Sequence, residues 1–373
     1  MKEKWFVITK SGDYCALGEK YGVSPIIARI MRNRGIVTDE DANNFLNTGM
    51  EGLHDGRLFK DAGRLMQILQ EKIREGKKIR VIGDYDIDGV CSTYILTKGL
   101  EMAGAQVDWK IPHRVKDGYG LNENLIRTAH SDGVDTIITC DNGIAATEEI
   151  KLAKELGMTV LVTDHHQVPF EEINGEKKEK LVAAEAIVDP HRKGDDYPYK
   201  EICGAVVAWK IVLSIFKLMG ISENAGTDFF EIAAFATIGD VMPLSAENRI
   251  IVKNGLRKLE KTENIGLRAL IAINELDGKR LSPYHVGFIL GPCMNAAGRL
   301  DTADTALKLL MAKDENEAHE CAVTLKELND SRKNLTDKGV KSALEMAESE
   351  EYKNDRVLVI ALHHIEATTA HLT

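Results

Sequence analysis

Acidic side chains follow three short apolar runs of the sequence, and two histidines accompany the third run. The first run is followed by three aspartates within five residues, and such crowded like charges raise one another's pKa unless a cation or strong donors neutralise them. Carboxylates with one or two imidazoles form a hard site, mostly of oxygen, which suits Mn²⁺ or Mg²⁺ better than zinc. The residues are, in chain order, Asp84, Asp86, Asp88, Asp141, Asp164, His165 and His166.

This many carboxylates favours two ions rather than one. Two ions about 3.5–4 Å apart can share a bridging water and hold both the attacking and the leaving oxygen of a displacement at phosphorus. The reaction class that follows is metal-assisted phosphoester hydrolysis. A turn or a helix cap is the alternative explanation for any one of these aspartates, and their occurrence after three separate runs argues against it.

Strands and helices alternate through the part of the chain that carries these residues. This alternation predicts an α/β fold with a doubly wound, mostly parallel sheet, in which the carboxyl ends of all strands lie at one edge. We therefore expect the acidic residues to meet in one crevice. The predicted strands are 79–83, 106–111, 135–140, 158–163 and 184–188, and the predicted helices are 89–103, 122–131, 145–156 and 202–219.

The rest of the chain is divided by its changes of pattern. Residues 1–60 are a lead-in of short helices and turns, with a helix start at Thr38, and residues 61–225 form the catalytic domain. Residues 226–281 are a helical segment and linker, and residues 282–373 are a second, smaller and incomplete α/β domain. The charged run 171–180 is predicted as a solvated loop, and the basic run 249–261 as a solvated helix face.

Composition restricts the class of protein. The 373 residues are 44% hydrophobic and 28% charged, which excludes fibrous and wholly disordered chains. A net charge of −10 would repel nucleic acid unless positive charge is gathered locally or carried by metal ions. The six cysteines form no C-x-x-C pair, and we find neither a signal peptide nor an uninterrupted apolar span. We expect a cytoplasmic protein that does not enter a membrane.

The acidic segments resemble three motifs of the DHH phosphoesterase superfamily. Four further segments resemble more closely the branch of single-strand-specific 5′→3′ DNA exonucleases of bacteria, and the similarity covers residues 50 to 360. The first three are VIGDYDIDGVCSTYIL, TCDNGIAA and VTDHHQVP, and the others are IPHRVKDGYGLN, YPYKEICGAVVAWK, FATIGDVMPLSAENR and GFILGPCMNAAGRLDTADTALKLL. The resemblance implies a DHH domain followed by a linker helix and a DHH-associated domain.

The resemblance also implies roles for individual residues. Asp84 and Asp164 would orient the metal ligands, with Asp84 near enough to touch an ion, and His166 would face the scissile phosphate or the leaving group. On spacing alone, Asp240 would only end a helix, and the resemblance adds it to the ligands. The implied ligands of the two Mn²⁺ or Mg²⁺ ions are Asp86, Asp88, Asp141, His165 and Asp240. The implied contacts to DNA are Arg114 and Arg299 with phosphates and Tyr119 with a stacked base.

The implied activity is metal-dependent hydrolysis of single-stranded DNA from the 5′ end, in repair and recombination. A single-strand-binding protein or a helicase is a further expected partner. Two departures, Cys293 in place of a common arginine and Asp189-Pro190-His191 in place of an Asn-Pro-Lys type, would weaken phosphate contacts. The sequence carries neither the Gly-Gly-Gly-His motif nor the OB-type domain of the family, so we expect chemistry to be more robust than processivity.

Two other functions stay open on the sequence. One is a phosphodiesterase of short oligonucleotides, cyclic dinucleotides or pyrophosphate; Ile82 disfavours the pyrophosphatase pattern, which has histidine there. The other is a non-catalytic replisome scaffold of the same fold, against which the complete set of expected ligands argues. Histidines 363, 364 and 371 are not expected to form a metal site.

Overall fold

The computed structural model describes residues 10, 12–114, 117–173, 175–349 and 357–360. The three C-terminal histidines named above lie outside these residues. The chain divides into two compact units. The first contains the described residues up to Leu53 together with Leu244–Ile250, and the second contains His54–Pro243 and the described residues from Ile251 onward.

The first unit contains three short helices, α1 (Tyr14–Tyr21), α2 (Pro25–Asn33) and α3 (Asp39–Asn47). The helix start expected at Thr38 is confirmed, because the Thr38 hydroxyl accepts a hydrogen bond from the Asp41 backbone N–H and the Asp41 carboxylate accepts one from the Thr38 N–H. Arg249 stacks on Phe45 with its Cζ 3.7 Å from the ring centroid, so this member of the basic run 249–261 packs inside the unit.

A five-stranded parallel sheet forms the centre of the second unit, with strand order β2-β1-β3-β4-β7. The predicted α/β fold with a mostly parallel sheet is confirmed. A two-stranded antiparallel pair, β5 and β6, is separate from this sheet. The strands are β1 (Lys78–Ile82), β2 (Gln106–Lys110), β3 (Thr136–Cys140), β4 (Thr159–Thr163), β5 (Phe170–Ile173), β6 (Glu176–Glu179) and β7 (Ala186–Val188).

Helices cover both faces of the sheet, and its central strands β3 and β4 are buried along almost all of their length. One cluster packs the apolar stripes of α6 and α7 against side chains such as Ile137 and Val160. The long apolar helices α5 and α8 pack on each other and on the sheet. The helices up to this point are α4 (Ala62–Arg74), α5 (Ile87–Met102), α6 (Glu123–Ser131), α7 (Thr147–Glu155) and α8 (Gly204–Met219).

The remainder of the described chain is helical. Residues 282–349 and 357–360, which belong to the region expected as a smaller α/β domain, contain no strand. Among the described helices, none is both long and apolar enough to cross a bilayer. The helices are α9 (Phe229–Gly239), α10 (Ala246–Leu259), α11 (Ile265–Ile273), α12 (Pro283–His285), a π-helical turn (Val286–Leu290), α13 (Gly291–Leu300), α14 (Asp304–Met311) and α15 (Glu315–Ala347).

The prediction of a loop over 171–180 is wrong, although the segment is exposed to solvent as expected. The segment forms β5 and β6, in which Glu171 lies opposite Lys178 and Glu172 opposite Lys177. Opposite charges directly across an antiparallel pair stabilise it, and Gly175, with φ of 80°, supplies the turn. Charge composition alone does not reveal this pairing.

The contact between α5 and α8 leads to a prediction about stability. A Cβ added at Gly99 of α5 would lie 2.5 Å from both methyl carbons of Val212 on α8, whereas one added at Gly63 of α4 would meet nothing within 4 Å. Overpacking costs about 1–3 kcal/mol and outweighs the gain of up to about 1 kcal/mol in helix propensity. We expect Gly99→Ala to lower the midpoint of urea unfolding and the control Gly63→Ala to leave it unchanged or raise it. Equal midpoints for the two variants would contradict this packing.

Candidate metal centre

The ends of the central strands lie at one level. Ile82 pairs with Thr139 and Cys140 pairs with Thr163, so the residues that follow β1, β3 and β4 emerge side by side. The strand order reverses between β1 and β3, and the crevice at such a reversal is the usual ligand site of open α/β sheets. The expected meeting of the acidic segments at one edge is therefore confirmed.

Two of the aspartates after β1 are held by helix amino termini. Asp86 caps α5, where its carboxylate accepts hydrogen bonds from the N–H groups of Asp88 at 2.9 Å and of Gly89 at 3.0 Å. The carboxylate of Asp88 accepts from the N–H groups of Gly204 at 2.6 Å and Ala205 at 2.8 Å, which begin α8. The amides and the helix dipoles offset part of the negative charge, and they fix both carboxylates.

The imidazole of His165 lies among three carboxylates. Its Nε2 atom is 3.0 Å from Oδ1 of Asp141, 3.5 Å from Oδ2 of Asp88 and 3.9 Å from Oδ2 of Asp240. Asp141 has a φ of 59°, in the left-handed region, where strain often accompanies a functional site. Gly204 is required beside it, because a Cβ there would lie 2.9 Å from the Cβ of Asp141.

Potential ligand atoms fall into groups that can each hold a cation. One group is Asp88, His165 and Asp240, and another is Asp84, Asp86 and Asp141, with the atoms of each group within 4.8 Å of one another. The short contact between His165 and Asp141 joins the two. All five predicted ligands lie in these groups, and Asp240, at the carboxyl end of α9, reaches the cluster as the resemblance implied. A third group is Asp141, His165 and His166.

The electrostatics of the cluster favour a cation. Burial, followed by the charge of Asp86, raises the pKa of Asp84 to about 7. Burial, followed by the charges of Asp88 and Asp86, raises the pKa of Asp240 to about 8 and the pKa of Asp141 well above its usual value. The raised pKa values mean that the surrounding protein does not compensate the negative charge of the ionised carboxylates. A divalent ion with oxygen ligands would supply that compensation.

Asp164 and His166 form a fixed pair beside the ligands. Burial opposes the ionised form of Asp164, but hydrogen bonds from His166 Nδ1 at 2.8 Å and the Ile144 N–H at 2.9 Å leave its pKa below the usual value. The same bond to Asp164 raises the pKa of His166 to about 9. Both oxygens of Asp164 are occupied by donors, so it orients the loop that carries the histidines.

The loop between β2 and α6 closes over the same edge. The hydroxyl of Tyr119 lies 3.1 Å from the backbone carbonyl oxygen of Asp141 and 3.2 Å from Nε2 of His166. The N–H of Gly120 donates to Oδ1 of Asp84 at 3.3 Å. Tyr119 therefore lies at the metal centre, as a predicted site residue. The polar contacts of its hydroxyl were not predicted from the sequence, which suggested only a stacked base.

Both of the arginines predicted to contact DNA, Arg114 and Arg299, lie near the loop that follows β1. The guanidinium carbon of Arg114 is 5.1 Å from the ring centroid of Tyr85. Burial lowers the pKa of Arg299, and the charges of Arg114 and Arg332 lower it further. The buried Nη1 of Arg299 has no hydrogen-bond partner among the described residues. The positive charges of these arginines act against one another, and the unpaired Nη1 of Arg299 can donate a hydrogen bond to an anion.

Sequence reasoning missed two residues of this region, Asn295 and Arg332. Oδ1 of Asn295 on α13 accepts a hydrogen bond from the Ile87 N–H at 2.8 Å and so holds the start of α5. Gly298 lets α13 approach, because a Cβ there would lie 2.4 Å from the Tyr85 carbonyl oxygen. Arg332, on α15, is close enough to Arg299 to affect its pKa. Asn295 lies within a quoted motif, but for Arg332 the sequence contains no signal.

The two departures from the family pattern, at Cys293 and at Asp189-Pro190-His191, each involve a buried residue. Cys293 is fully buried, and its thiol donates to the carbonyl oxygen of Ile289 at 3.2 Å. Asp189 is also fully buried and accepts a hydrogen bond from the His191 N–H at 2.8 Å. Both residues fill interior positions of the fold.

The parallel sheet and the acidic cluster at its edge define an α/β protein with a site for divalent metal ions. The chain belongs to the DHH family: residues 78–238 match the DHH family, N-terminal domain. It is 37% identical over 344 residues to the single-stranded-DNA-specific exonuclease RecJ of Bacillus subtilis (strain 168), an alignment that covers 92% of this chain and 42% of the relative.

Solved structures agree with this assignment. The crystal structure of exonuclease RecJ bound to manganese has a TM-score of 0.69 and 33% identity, covering 78% of this chain and 71% of the other. RecJ from Thermus thermophilus in complex with Mn²⁺ has a TM-score of 0.73 and 29% identity, covering 90% of this chain and 46% of the other. The chain spans about half the length of the curated relatives it matches.

The raised carboxyl pKa values predict how stability depends on pH without metal. The pKa of an aspartate in the unfolded chain is near 4, whereas the folded values are about 7 for Asp84 and about 8 for Asp240. The folded state therefore loses stability as the pH rises from about 4 to about 8. In EDTA, we expect the urea midpoint to fall between pH 5 and pH 8, and Asp240→Asn to reduce the fall. Mn²⁺ should raise the midpoint most at pH 8, where the ligands are ionised.

The matched control is Asp337→Asn, which makes the same change at an exposed position of α15. It should reproduce the wild-type pH dependence in EDTA. A midpoint in EDTA that is constant from pH 5 to pH 8, or one that Asp337→Asn alters as much as Asp240→Asn, would be inconsistent with this electrostatic account.

Proposed function

We propose that the chain is a metal-dependent phosphodiesterase that hydrolyses single-stranded DNA from its 5′ end, as a RecJ-type exonuclease. The observation that carries this proposal is the position of His165, whose Nε2 lies within 4 Å of carboxylate oxygens from Asp88, Asp141 and Asp240. Similarity to single-stranded-DNA-specific exonucleases supports the choice of substrate. The 5′ direction of digestion and roles in DNA repair and recombination are proposed from the resemblance of the sequence motifs.

The ligands proposed for two Mn²⁺ or Mg²⁺ ions are Asp86, Asp88, Asp141, His165 and Asp240. Asp84 belongs to one of the ligand groups and also accepts a hydrogen bond from Gly120, so we assign it mainly an orienting role. When bound, such ions polarise the phosphoryl oxygens and lower the pKa of a water molecule to make it a nucleophile. Oxygen-rich donors and buried negative charge support the choice of these metals.

His166 contributes positive charge beside the ligands. Its pKa of about 9 keeps the imidazole protonated at neutral pH, and its Nδ1 stays directed at Asp164. A cation at this place stabilises the charge that builds up on a phosphate during displacement. Asp164 acts through His166 and through the N–H groups of His165 and Ile144, and it thereby orients the loop.

The arginines supply the local positive charge that a chain of net charge −10 needs to bind DNA. Arg114 and Arg299 lie beside the loop after β1, where phosphates of a strand entering the crevice would pass, and the buried Nη1 of Arg299 has no hydrogen-bond partner among the described residues. A cytoplasmic location, and a single-strand-binding protein or helicase as a partner, belong to the proposal through the nature of the substrate.

Loss of one ligand predicts loss of activity. Asp86→Ala and His165→Ala remove a carboxylate and the central imidazole, so we expect each to lower the rate of hydrolysis by at least about 100-fold. The assay compares single strands labelled at the 5′ or the 3′ end, duplex DNA and a dinucleotide, each with Mn²⁺ or EDTA. Label should be released first from the 5′ end of single strands, and only with metal.

Asp337→Asn serves again as the control and should keep the wild-type rate. Full activity of either ligand variant would remove that residue from the site. Preferred hydrolysis of the dinucleotide over longer strands would instead support a phosphodiesterase of short oligonucleotides, and metal binding without hydrolysis of any substrate would support a scaffold.

The arginines lead to a separate prediction about affinity. Each phosphate contact that is lost should weaken single-strand binding by about tenfold and reduce the slope of log affinity against log salt by about one. We expect this for Arg114→Ala and for Arg299→Ala, measured by fluorescence anisotropy in Ca²⁺ at several salt concentrations. Arg257→Ala, on the exposed face of α10, is the matched control and should change neither quantity. Equal effects of all three variants would rule out a specific contact.

A further inference from the structure

We infer that Tyr119 is a positioning residue for His166 in the proposed reaction, acting through its hydroxyl group rather than as a platform for a stacked base. This inference rests on the proposed function, because it assigns a residue to that same reaction. The juxtaposition that carries it is a chain of polar contacts from Asp141 through the Tyr119 hydroxyl and the His166 ring to Asp164.

The backbone around Tyr119 is shaped to present this side chain. Gly118 and Gly120 have φ values of 80° and 67°, in the left-handed region that favours glycine. A Cβ at Gly120 would lie 3.2 Å from the Cβ of Asn142, so the loop passes close to the segment after β3. The Gly120 N–H also donates to Asp84, which fixes the loop to the segment after β1. Tyr119 is thus held by both segments.

The hydroxyl of Tyr119 has two polar partners and one proton. It lies 3.1 Å from the Asp141 carbonyl oxygen, which can only accept, so the phenol proton is directed there. The phenol oxygen lies 3.2 Å from Nε2 and 3.5 Å from Nδ1 of His166, so it contacts the ring near both nitrogens. Asp164 lies 2.8 Å from Nδ1. The Tyr119 hydroxyl and the Asp164 carboxylate together restrict the orientation of the imidazole ring, whereas one contact alone would allow it to turn.

The ring of Tyr119 has neighbours at its edges. It meets His166 at 80° with centroids 5.9 Å apart, and Tyr85 at 87° with centroids 6.2 Å apart. This packing holds the phenol in place, so removal of its oxygen alone should leave the ring where it is. The side chain is 54% exposed, and a base could also contact it, so the experiment separates the two roles.

Replacing Tyr119 with phenylalanine or tryptophan distinguishes the roles, because both keep an aromatic face and both lose the hydroxyl. Loss of a group that orients a catalytic residue typically costs about 10–100-fold. We expect Tyr119→Phe and Tyr119→Trp to lower kcat for single-stranded DNA by that factor, with KM changed less than about twofold. Binding of Mn²⁺, measured by calorimetry, and the urea midpoint should stay close to wild type for Tyr119→Phe.

Tyr284→Phe is the matched control, because it makes the same change at a tyrosine that is 61% exposed. It should keep the wild-type kcat and KM. Wild-type kcat in Tyr119→Phe, or a rise in KM at unchanged kcat, would overturn the positioning role. If the wild-type chain itself fails to hydrolyse single-stranded DNA with Mn²⁺, the proposed function fails first, and the result is distinct from failure of Tyr119 alone.

Discussion

Repulsion among buried carboxylates is the constraint on which the rest of this structure depends. Asp84, Asp88 and Asp141 are at most 2% exposed, and each lies close to another acidic side chain. Such a cluster is costly in a folded protein unless helix dipoles, donors or cations offset it. The starts of α5 and α8, directed at Asp86 and Asp88, supply part of the compensation. The remaining negative charge is what makes the edge a site for divalent ions.

Several local features hold this cluster together. Asp141 has a left-handed backbone, Gly204 leaves room beside it, and Asn295 ties α13 to the beginning of α5. His166 contacts Asp164 and belongs to a ligand group with Asp141, whereas Arg114 and Arg299 lie beside the loop after β1.

Much of the architecture could be predicted from the sequence, because short apolar runs alternate with amphipathic segments. The five parallel strands and their flanking helices lie within about two residues of their predicted bounds. The edge site was predictable for the same reason, since parallel strands end together. The hairpin β5–β6 was not predicted, because a charged segment without an apolar alternation carries no strand signal, and its opposite charges face each other only once the register is known. Asp240 appeared on spacing as a helix end only, and the resemblance was needed to connect it to the cluster.

The sequence alone determined which groups this protein has for chemistry and that they follow strands, because strand pattern and residue type are local properties. It also carried the family motifs, from whose resemblance the proposed ligands were taken. Only the tertiary structure decided which atoms meet: His165 with three carboxylates, and Tyr119 with His166. It also placed Arg332 near enough to Arg299 to affect its pKa. Such meetings depend on how segments far apart in the chain pack and on where each backbone turns. No spacing in the sequence encodes a distance between separate loops.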